Sequence, residues 1–354
     1  MHLIILPGDG IGPEITTAAT AVLEAASRKF DLGLRLDHDI AGLDSLARHG
    51  TTITPALVAK VNAAAGLLLG PMSTAQLKDE SKGEINPSMF FRKTLDLYAN
   101  IRPARTFDGV PNKVGPFDLV VVRENTEGFY ADRNMESGGS EMLVTPDVAI
   151  SLRRITRQCC ERIARSAFEL ASRRRKRVTI VHKANVLKIA DGMFIDVCRS
   201  VGREFPDVAI DDEIVDAMMA HVVRAPARFD VIVTTNMFGD ILSDLTAELS
   251  GSIGLGGSVN AGRDHAMGQA AHGSAPDIAG KDIANPVSLI LSAAMLLDWH
   301  GRRTDAPTFN VAARAIERVT AQAVAARDAT RDIGGTLGTR ATGEAFVRRL
   351  DALD

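Results

Sequence analysis

The chain has 354 residues, of which 45% are hydrophobic and 24% are charged. These proportions are typical of a globular protein with two domains or one large α/β unit, and they exclude disorder and low-complexity assembly as the main state. The 41 Lys and Arg residues against 44 Asp and Glu give a net charge of −3. Because a nearly neutral chain offers no broad basic surface, nucleic acid is not expected as a partner.

The sequence also predicts where the chain is found. Its N-terminus lacks the basic flank and apolar core of a secretion signal. No apolar run reaches the roughly 20 residues that cross a bilayer, since the nearest one, residues 287–297, is interrupted by two serines. The three cysteines, Cys159, Cys160 and Cys198, form neither a disulfide framework nor a metal motif. We therefore expect a cytoplasmic protein without a membrane partner.

Apolar runs of strand length alternate along the chain with segments of helical periodicity, and this alternation predicts an α/β fold. A first strand at residues 3–6 is followed by a glycine-containing loop, and Pro13 then marks the first turn of a helix. A second helix is predicted to begin at Thr54-Pro55. The remaining predicted strands are residues 67–69, 118–122, 178–181 and 229–233.

Polar segments come directly after three of the predicted strands, at residues 123–125, 182–185 and 235–236. Ligands of open α/β sheets bind outside the carboxyl ends of the strands, so a ligand site is predicted there. Residues 132–140 are too long for a tight turn and are expected to form an arm or an interface element. The basic run at residues 173–177 is interpreted as a solvated helix end in preference to a nucleic-acid patch.

Asp240 and Asp244 stand four residues apart, so a helix would place both carboxylates on one face. A divalent cation that prefers hard oxygen ligands, such as Mg²⁺ or Mn²⁺, would offset their repulsion. Spacing alone favours the alternative of a solvated helix start with acidic residues near the positive end of the dipole. Asp216 is a candidate third ligand, with a helix-surface acid as the alternative.

Arg92, Arg102 and Arg123 are candidates for binding a polycarboxylate, because a guanidinium group matches a carboxylate bidentately. Their positions in the sequence do not by themselves show that they converge. Lys183 and Tyr130 are candidate acid–base groups, although the sequence alone favours a structural role for each of them.

Two glycine-containing loops could approach a cofactor. The loop at residues 7–12 departs from the dinucleotide-binding fingerprint, because Pro13 occupies the position of the third glycine. This departure argues against a Rossmann fold. The second loop, residues 272–277, is interpreted as a turn when it is taken alone.

Taken together, six segments of the chain resemble the β-decarboxylating dehydrogenases, the family of isocitrate, homoisocitrate, isopropylmalate and tartrate dehydrogenases. They occur in the order of the family and cover nearly the whole chain. The segments are residues 6–14 (LPGDGIGPE), 96–103 (DLYANIRP), 122–130 (VRENTEGFY), 182–185 (HKAN), 236–244 (NMFGDILSD) and 272–280 (HGSAPDIAG) with 284–286 (ANP).

This resemblance implies a two-domain α/β fold that is distinct from the Rossmann fold. Residues 1–99 and 250–354 would form a large cofactor-binding domain, and residues 100–249 a smaller domain with the dimer interface. The active site would lie between the domains and across that interface. A homodimer or a higher homo-oligomer is therefore expected.

The resemblance also implies roles for the candidate residues. The three arginines would hold the carboxylates of a malate-type substrate. Asp240 and Asp244 would bind Mg²⁺ or Mn²⁺ together with Asp216 of the partner subunit. Lys183, also of the partner subunit, would take the hydroxyl proton, and Tyr130 would protonate the enolate.

NAD is the cofactor that the resemblance implies, because Asp277 and Ile278 stand where NADP-dependent members carry lysine and tyrosine. A carboxylate there would accept hydrogen bonds from the adenine ribose and repel a 2′-phosphate. His272 and Asn285 would flank the adenosine, and Asn185 the nicotinamide. The other predicted cofactor residues are Thr74, Gly273 and Ala275. Gln269 departs from the family, which usually has glutamate there.

The residues before Arg92 are expected to contact the substituent on C3 of the substrate. Asn86 and Ser88 place polar groups there, as in isocitrate dehydrogenases but in swapped order, and residues 89–91 are apolar. This pattern slightly favours a tricarboxylate over isopropylmalate, with tartrate and D-malate as further alternatives. The alternative from a different functional class is that the chain is a non-catalytic regulatory subunit of such a dehydrogenase.

Overall fold

The computed structural model describes residues 1–130, 135 and 138–353. In these residues, one ten-stranded mixed sheet carries α-helices on both faces, and a separate two-stranded hairpin projects from it. No helix in the described part of the chain has both the length and the apolar character needed to span a membrane.

The strands and helices have the following bounds. The strands are β1 (His2–Leu6), β2 (Arg35–His38), β3 (Gly66–Leu69), β4 (Ala99–Arg105), β5 (Asp118–Glu124), β6 (Glu141–Thr145), β7 (Val148–Ser151), β8 (Arg177–His182), β9 (Ala209–Ile214), β10 (Val231–Thr234), β11 (Val259–Ala261) and β12 (Ala266–Gln269). The helices are α1 (Gly12–Phe30), α2 (Leu43–His49), α3 (Pro55–Ala63), α4 (Pro87–Thr94), α5 (Arg157–Ser172), α6 (Ala190–Gly202), α7 (Val215–Arg224), α8 (Asn236–Leu249), α9 (Val287–Arg303), α10 (Pro307–Ala325) and α11 (Thr339–Asp351).

The large sheet has the strand order β2-β1-β3-β12-β11-β4-β5-β10-β8-β9. Strands β2, β1, β3 and β12 form one parallel block, and β5, β10, β8 and β9 form another. Between them, β11 is antiparallel to β12 and β4, and β4 is antiparallel to β5. The two parallel blocks therefore run in opposite directions, and their carboxyl ends lie at opposite edges of the sheet.

Side chains alternate between the two faces of each strand, and the core follows this alternation. On one face, Leu3 and Ile5 pack with α1, α9, α10 and α11, whereas Val120 and Val122 pack with α5 and α6. On the other face, Ile4 and Leu6 pack with α3 and α4, while Val121 packs with α7 and α8. The second face thus holds the helices α4 and α8 that carry Arg92, Asp240 and Asp244.

The predicted elements are largely confirmed. All five predicted strands correspond to β1, β3, β5, β8 and β10, although β5 continues through Arg123 and Glu124 and β8 through His182. The helix predicted at Thr54 exists, with the Thr54 hydroxyl capping it, but α2 comes before it. The antiparallel strands β4 and β11 were not predicted, because β4 contains Asn, Pro and two Arg among its seven residues and β11 has only three residues.

The hairpin of β6 and β7 differs from the rest of the fold because its apolar side chains are exposed. Leu143 is 71% exposed and Val144 53%. The arm predicted at residues 132–140 lies just before this hairpin, and residues 131–134 and 136–137 are outside the described part of the chain. An exposed apolar hairpin of this kind is typical of an interaction surface.

Candidate active site

The end of β5 and the start of α8 bring Arg123 together with Asp240. Arg123 is 2% exposed, and its Nε and Nη2 donate to Asn236 Oδ1 at 3.0 and 2.6 Å. Its Nη1 forms an ion pair with Asp240. Gly239 makes this approach feasible, because a Cβ at that position would lie 2.6 Å from Arg123 Cγ.

Arg102 on β4 joins the same group of side chains. Its Nη1 donates to Asp244 Oδ1 at 2.7 Å and to Ser243 Oγ at 2.9 Å, and its Nη2 lies 3.8 Å from Asp240 Oδ1. Partial burial raises the pKa of the Asp244 carboxyl. The positive charge of Arg102 lowers this pKa and the negative charge of Asp240 raises it, and the net effect is a rise. The structure therefore brings together Arg102, Arg123, Asp240 and Asp244, which we call the arginine–aspartate cluster.

Helix α4 carries the third predicted arginine next to the predicted specificity residues. Asn86 caps the helix, and its Oδ1 accepts from the backbone N–H of Ser88 at 3.0 Å. Gln269 on β12 accepts from Arg92 Nη2 at 3.2 Å and donates to Ser88 Oγ at 2.6 Å. Strand β12 lies two places from β4 in the sheet, so Arg92 borders the face that bears the cluster.

Lys183 and Asp216 form a separate pair, which follows the strands β8 and β9 next to β10. Lys183 follows β8, and its Nζ donates to Asp216 Oδ1 at 2.5 Å, near the start of α7. This hydrogen bond holds the pKa of Asp216 below its ordinary value. Among the described residues of one chain, no group of three His, Cys, Asp or Glu is arranged to hold a metal. A single chain therefore does not assemble Asp216 with Asp240 and Asp244.

A buried ion pair positions the turn that carries Lys183. Asp191, which is fully buried on α6, accepts from the Lys183 backbone N–H at 2.6 Å and from Arg153 Nη1 at 2.6 Å. Arg153 also donates to Thr235 Oγ1 at 3.2 Å, directly before α8. The sequence analysis did not identify Arg153 or Asp191 as functional residues, although Asp191 stands only eight residues after the candidate base Lys183.

The loop after β5 leads to Tyr130 and is fixed by two buried carboxylates. Glu124 accepts from the backbone N–H groups of Thr126 and Glu127 at 2.8 and 2.9 Å, and burial raises its pKa. Glu127 accepts from the backbone N–H of Thr156 at the start of α5. Tyr130 itself is half-buried and is the last residue before the gap in the described chain.

The two glycine-containing loops predicted to approach a cofactor meet a third loop, which carries Ser73 and Thr74, at the opposite edge of the sheet. Asp9 in the first loop accepts from the Ser73 backbone N–H at 2.8 Å, and Ser73 Oγ lies 2.9 Å from Ser274 Oγ. A Cβ at Gly10, whose φ is +59°, would lie 2.0 Å from Ser274 O, so only glycine allows this contact. Thr74 follows Ser73 and is exposed at the start of a short 3₁₀ turn.

The remaining predicted cofactor residues are divided between two places. Ala275 adopts a left-handed backbone with φ of 35°, and Gly273 and Asp277 on either side of it are exposed, while Ile278 is half-buried. Asn285 donates to Asp332 at 2.9 Å and accepts from the Val287 backbone N–H at 3.0 Å. Asn185 is exposed after β8, in the other strand block, and does not join these loops within one chain.

His272 begins the loop after β12. Burial lowers the pKa of its imidazole, and its Nε2 is buried without a hydrogen-bond partner among the described residues. Since a buried polar atom without a partner costs free energy, this nitrogen fits a site that a ligand completes.

The sequence indicated that the basic run at residues 173–177 forms a solvated helix end. In the structure, part of this run is instead bound to other segments of the chain. Arg174 forms ion pairs with Asp118 and Asp230, each at 2.8 Å, and Arg175 donates to backbone carbonyls including that of Ala227 at 3.1 Å. Arg177 is paired with Asp211 on β9. Arg174, Arg175 and Arg177 are therefore bound within the chain.

The fold is that of an α/β protein, and the arginine–aspartate cluster sets two arginines beside two aspartates on one face of its sheet. The chain belongs to the isocitrate/isopropylmalate dehydrogenase family, which it matches over residues 2–348. The family predicted from the six segments and the predicted fold class are both confirmed.

Relatives across almost the whole chain carry dehydrogenase names. An isocitrate/homoisocitrate dehydrogenase of Thermus thermophilus is 41% identical over 353 residues, which are 99% of each chain. A 3-isopropylmalate dehydrogenase of Archaeoglobus fulgidus is 39% identical over 338 residues, or 95% of each chain. The crystal structure of isocitrate dehydrogenase from Methylococcus capsulatus is 40% identical, covers 99% of both chains and gives a TM-score of 0.86. The family supports oxidative decarboxylation of a hydroxy acid with NAD(P) and a divalent metal.

Proposed function

We propose that the chain catalyses the oxidative decarboxylation of a 3-substituted (R)-malate to a 2-oxo acid and CO₂, with reduction of NAD and dependence on Mg²⁺ or Mn²⁺. The observation that carries this proposal is the arginine–aspartate cluster. It sets two guanidinium groups, which bind carboxylates, beside two carboxylates, which bind divalent cations.

The residues of the cluster fit a divalent cation. Asp240 and Asp244 offer hard oxygen donors one helical turn apart on α8, and the pKa of Asp244 is raised in part by Asp240. Each carboxylate has about four lone-pair sites, so it can accept from an arginine and ligate a cation at once. Asp240, Asp244 and Asp216 of a second copy would hold the ion.

The three loops at the other edge fit a dinucleotide. They are held together through Asp9, Ser73 and Ser274, and His272 Nε2 there lacks a partner among the described residues. The exposed Asp277 carboxylate would accept hydrogen bonds from a ribose diol and repel a 2′-phosphate, which supports NAD over NADP. We propose His272, Gly273, Ala275, Ile278 and Asn285 on the adenosine side, Thr74 as a further cofactor residue, and Asn185 of the second copy toward the nicotinamide.

In this proposal the chain's own side chains bind the substrate and move protons. Arg92, Arg102 and Arg123 hold its carboxylates, with Asn86 and Ser88 near the C3 substituent. Lys183 of the second copy removes the proton of the C2 hydroxyl, and Tyr130 returns a proton to C3 after CO₂ leaves. A bound nicotinamide would supply the hydride acceptor, and a divalent cation held by the aspartates would supply Lewis-acid stabilisation of the negative charge that develops on oxygen.

Two copies of the chain would complete each site. One chain holds Lys183 with Asp216 and, separately, Asp240 with Asp244. A two-fold dimer would bring Lys183 and Asp216 of each chain to Asp240 and Asp244 of the other. The exposed apolar hairpin of β6 and β7 supports such an interface. We also propose the predicted division into residues 1–99 with 250–354 and residues 100–249, since the two parallel strand blocks follow it.

The purified chain should form NADH in the presence of Mn²⁺, with higher kcat/KM for isocitrate or homoisocitrate than for 3-isopropylmalate, D-malate and tartrate. Replacing NAD by NADP should lower kcat/KM at least about tenfold, because Asp277 would face the 2′-phosphate. Spectrophotometric assay of the five acids with both cofactors measures this. Absence of NADH with all five would refute the proposed function.

A further inference from the structure

Gln269 is the last residue of β12 and is held rigidly at the border of the proposed substrate pocket. It is 9% exposed. Its backbone N–H donates to Ser258 O at 3.1 Å, and its carbonyl accepts from Ser292 Oγ at 3.1 Å. With the backbone fixed on both sides, the Gln269 side chain has a defined direction toward α4.

The two ends of the Gln269 amide bind two residues that stand one helical turn apart on α4. Its Oε1 lies 3.2 Å from Arg92 Nη2, and its Nε2 lies 2.6 Å from Ser88 Oγ. An arginine can only donate, so the atom facing Arg92 must be the amide oxygen. The amide N–H therefore donates to Ser88, and the Ser88 hydroxyl is the acceptor in that bond.

The direction of these two hydrogen bonds determines which donors Ser88 and Arg92 offer to the pocket. Because Ser88 Oγ accepts from Gln269, its own hydrogen is available to donate to another acceptor. The amide also accepts from Arg92 without cancelling any of the guanidinium charge. A glutamate at this position would reverse both effects, since it would take the Ser88 hydrogen and neutralise Arg92.

We propose that Gln269 is a positioning residue that determines specificity: it sets Ser88 and Arg92 as two donors toward one carboxylate of the substrate. This inference rests on the proposed function and deepens it. The ligand it favours is an anion with a carboxylate on the C3 substituent, for which a charged donor and a hydroxyl donor are both suitable. An alkyl substituent would leave the Ser88 donor unused.

The test compares Gln269→Glu and Gln269→Met with the wild-type chain, using the most active acid of the panel of five. In Gln269→Glu, KM for that acid should rise about tenfold or more, with kcat within about threefold, as expected for loss of binding common to ground and transition states. In Gln269→Met, which adds no charge, KM should rise only about threefold. KM for NAD should stay unchanged in both variants.

A double-mutant cycle separates donor orientation from general packing. Ser88→Ala should raise KM for the acid in the wild-type background but add no further rise to Gln269→Glu, whose carboxylate has already taken the hydroxyl hydrogen. Thermal-shift binding of the same acid with Mn²⁺, measured without NAD, provides a readout independent of turnover. An unchanged KM in Gln269→Glu, or additive effects with Ser88→Ala, would overturn the inference while the proposed function stands. Failure of the wild-type chain on the whole panel would overturn the proposed function itself.

Discussion

Replacing Lys183 with methionine is expected to lower kcat by a factor of about 10²–10⁴, the usual contribution of a positioned acid–base group. Methionine keeps much of the apolar stem but removes the ammonium group that donates to Asp216 Oδ1 at 2.5 Å. KM for the acid should change less than kcat, because the three arginines that are proposed to bind its carboxylates remain. Steady-state kinetics at saturating Mn²⁺ and NAD measure both constants.

The matched control for this variant is Lys176→Met. Lys176 lies directly before the same strand, β8, and its Nζ forms a surface ion pair with Asp207 at 3.6 Å. Such a pair contributes little to stability, so this variant should keep wild-type kinetics. If Lys183→Met leaves every measured rate of an active chain unaltered, Lys183 is not the base. If the wild-type chain binds the acid tightly without turnover, it is a regulatory subunit.

The second large effect is expected for Asp240→Asn, which should weaken Mn²⁺ binding by about a hundredfold or more. The substitution keeps the shape of the side chain but removes the charge that stands next to Asp244 and pairs with the buried Arg123. Activity should recover partly as the Mn²⁺ concentration rises, whereas Lys183→Met should not recover. Isothermal titration with Mn²⁺ and the dependence of rate on Mn²⁺ concentration measure the change.

Glu248→Gln supplies the control on the same helix. Glu248 is exposed on α8, one turn beyond Asp244, and its substitution removes the same unit of charge from the surface. Its Mn²⁺ affinity should equal that of the wild-type chain. Circular dichroism of Asp240→Asn confirms that the fold persists. Unchanged Mn²⁺ affinity in a folded Asp240→Asn variant would show that the aspartates of α8 do not ligate the cation.

Much of this arrangement could be predicted because it depends on local patterns. Buried parallel strands appear as short apolar runs, and all five of those predicted exist. The spacing of Asp240 and Asp244 requires only that the segment be helical, which α8 confirms. The polar residues at the end of β5 and after β10 meet because adjacent parallel strands end at one edge, as the bonds between Arg123 and Asn236 show.

The rest depends on contacts between distant parts of the chain, which no local pattern encodes. Gln269 and Ser88 are 181 residues apart and meet only because α4 packs over β12. The reversal of direction at β11 and β4 places the glycine-containing loops at the opposite edge from Lys183. Asn86 was predicted to contact the substrate because of its residue type and position. In the structure its side-chain oxygen makes a local contact, since it caps α4.

The central claim is that each active site takes Asp240 and Asp244 from one chain and Lys183 with Asp216 from another. Mixing the Lys183→Met and Asp240→Asn variants after reversible dissociation, at a Mn²⁺ concentration too low to restore Asp240→Asn, tests this claim most directly. Random reassociation should restore about one quarter of the wild-type activity per chain, because half of the dimers are hybrids and each hybrid contains one site with both native residues. If the mixture stays as inactive as the separate variants while hybrid dimers form, the shared site is contradicted.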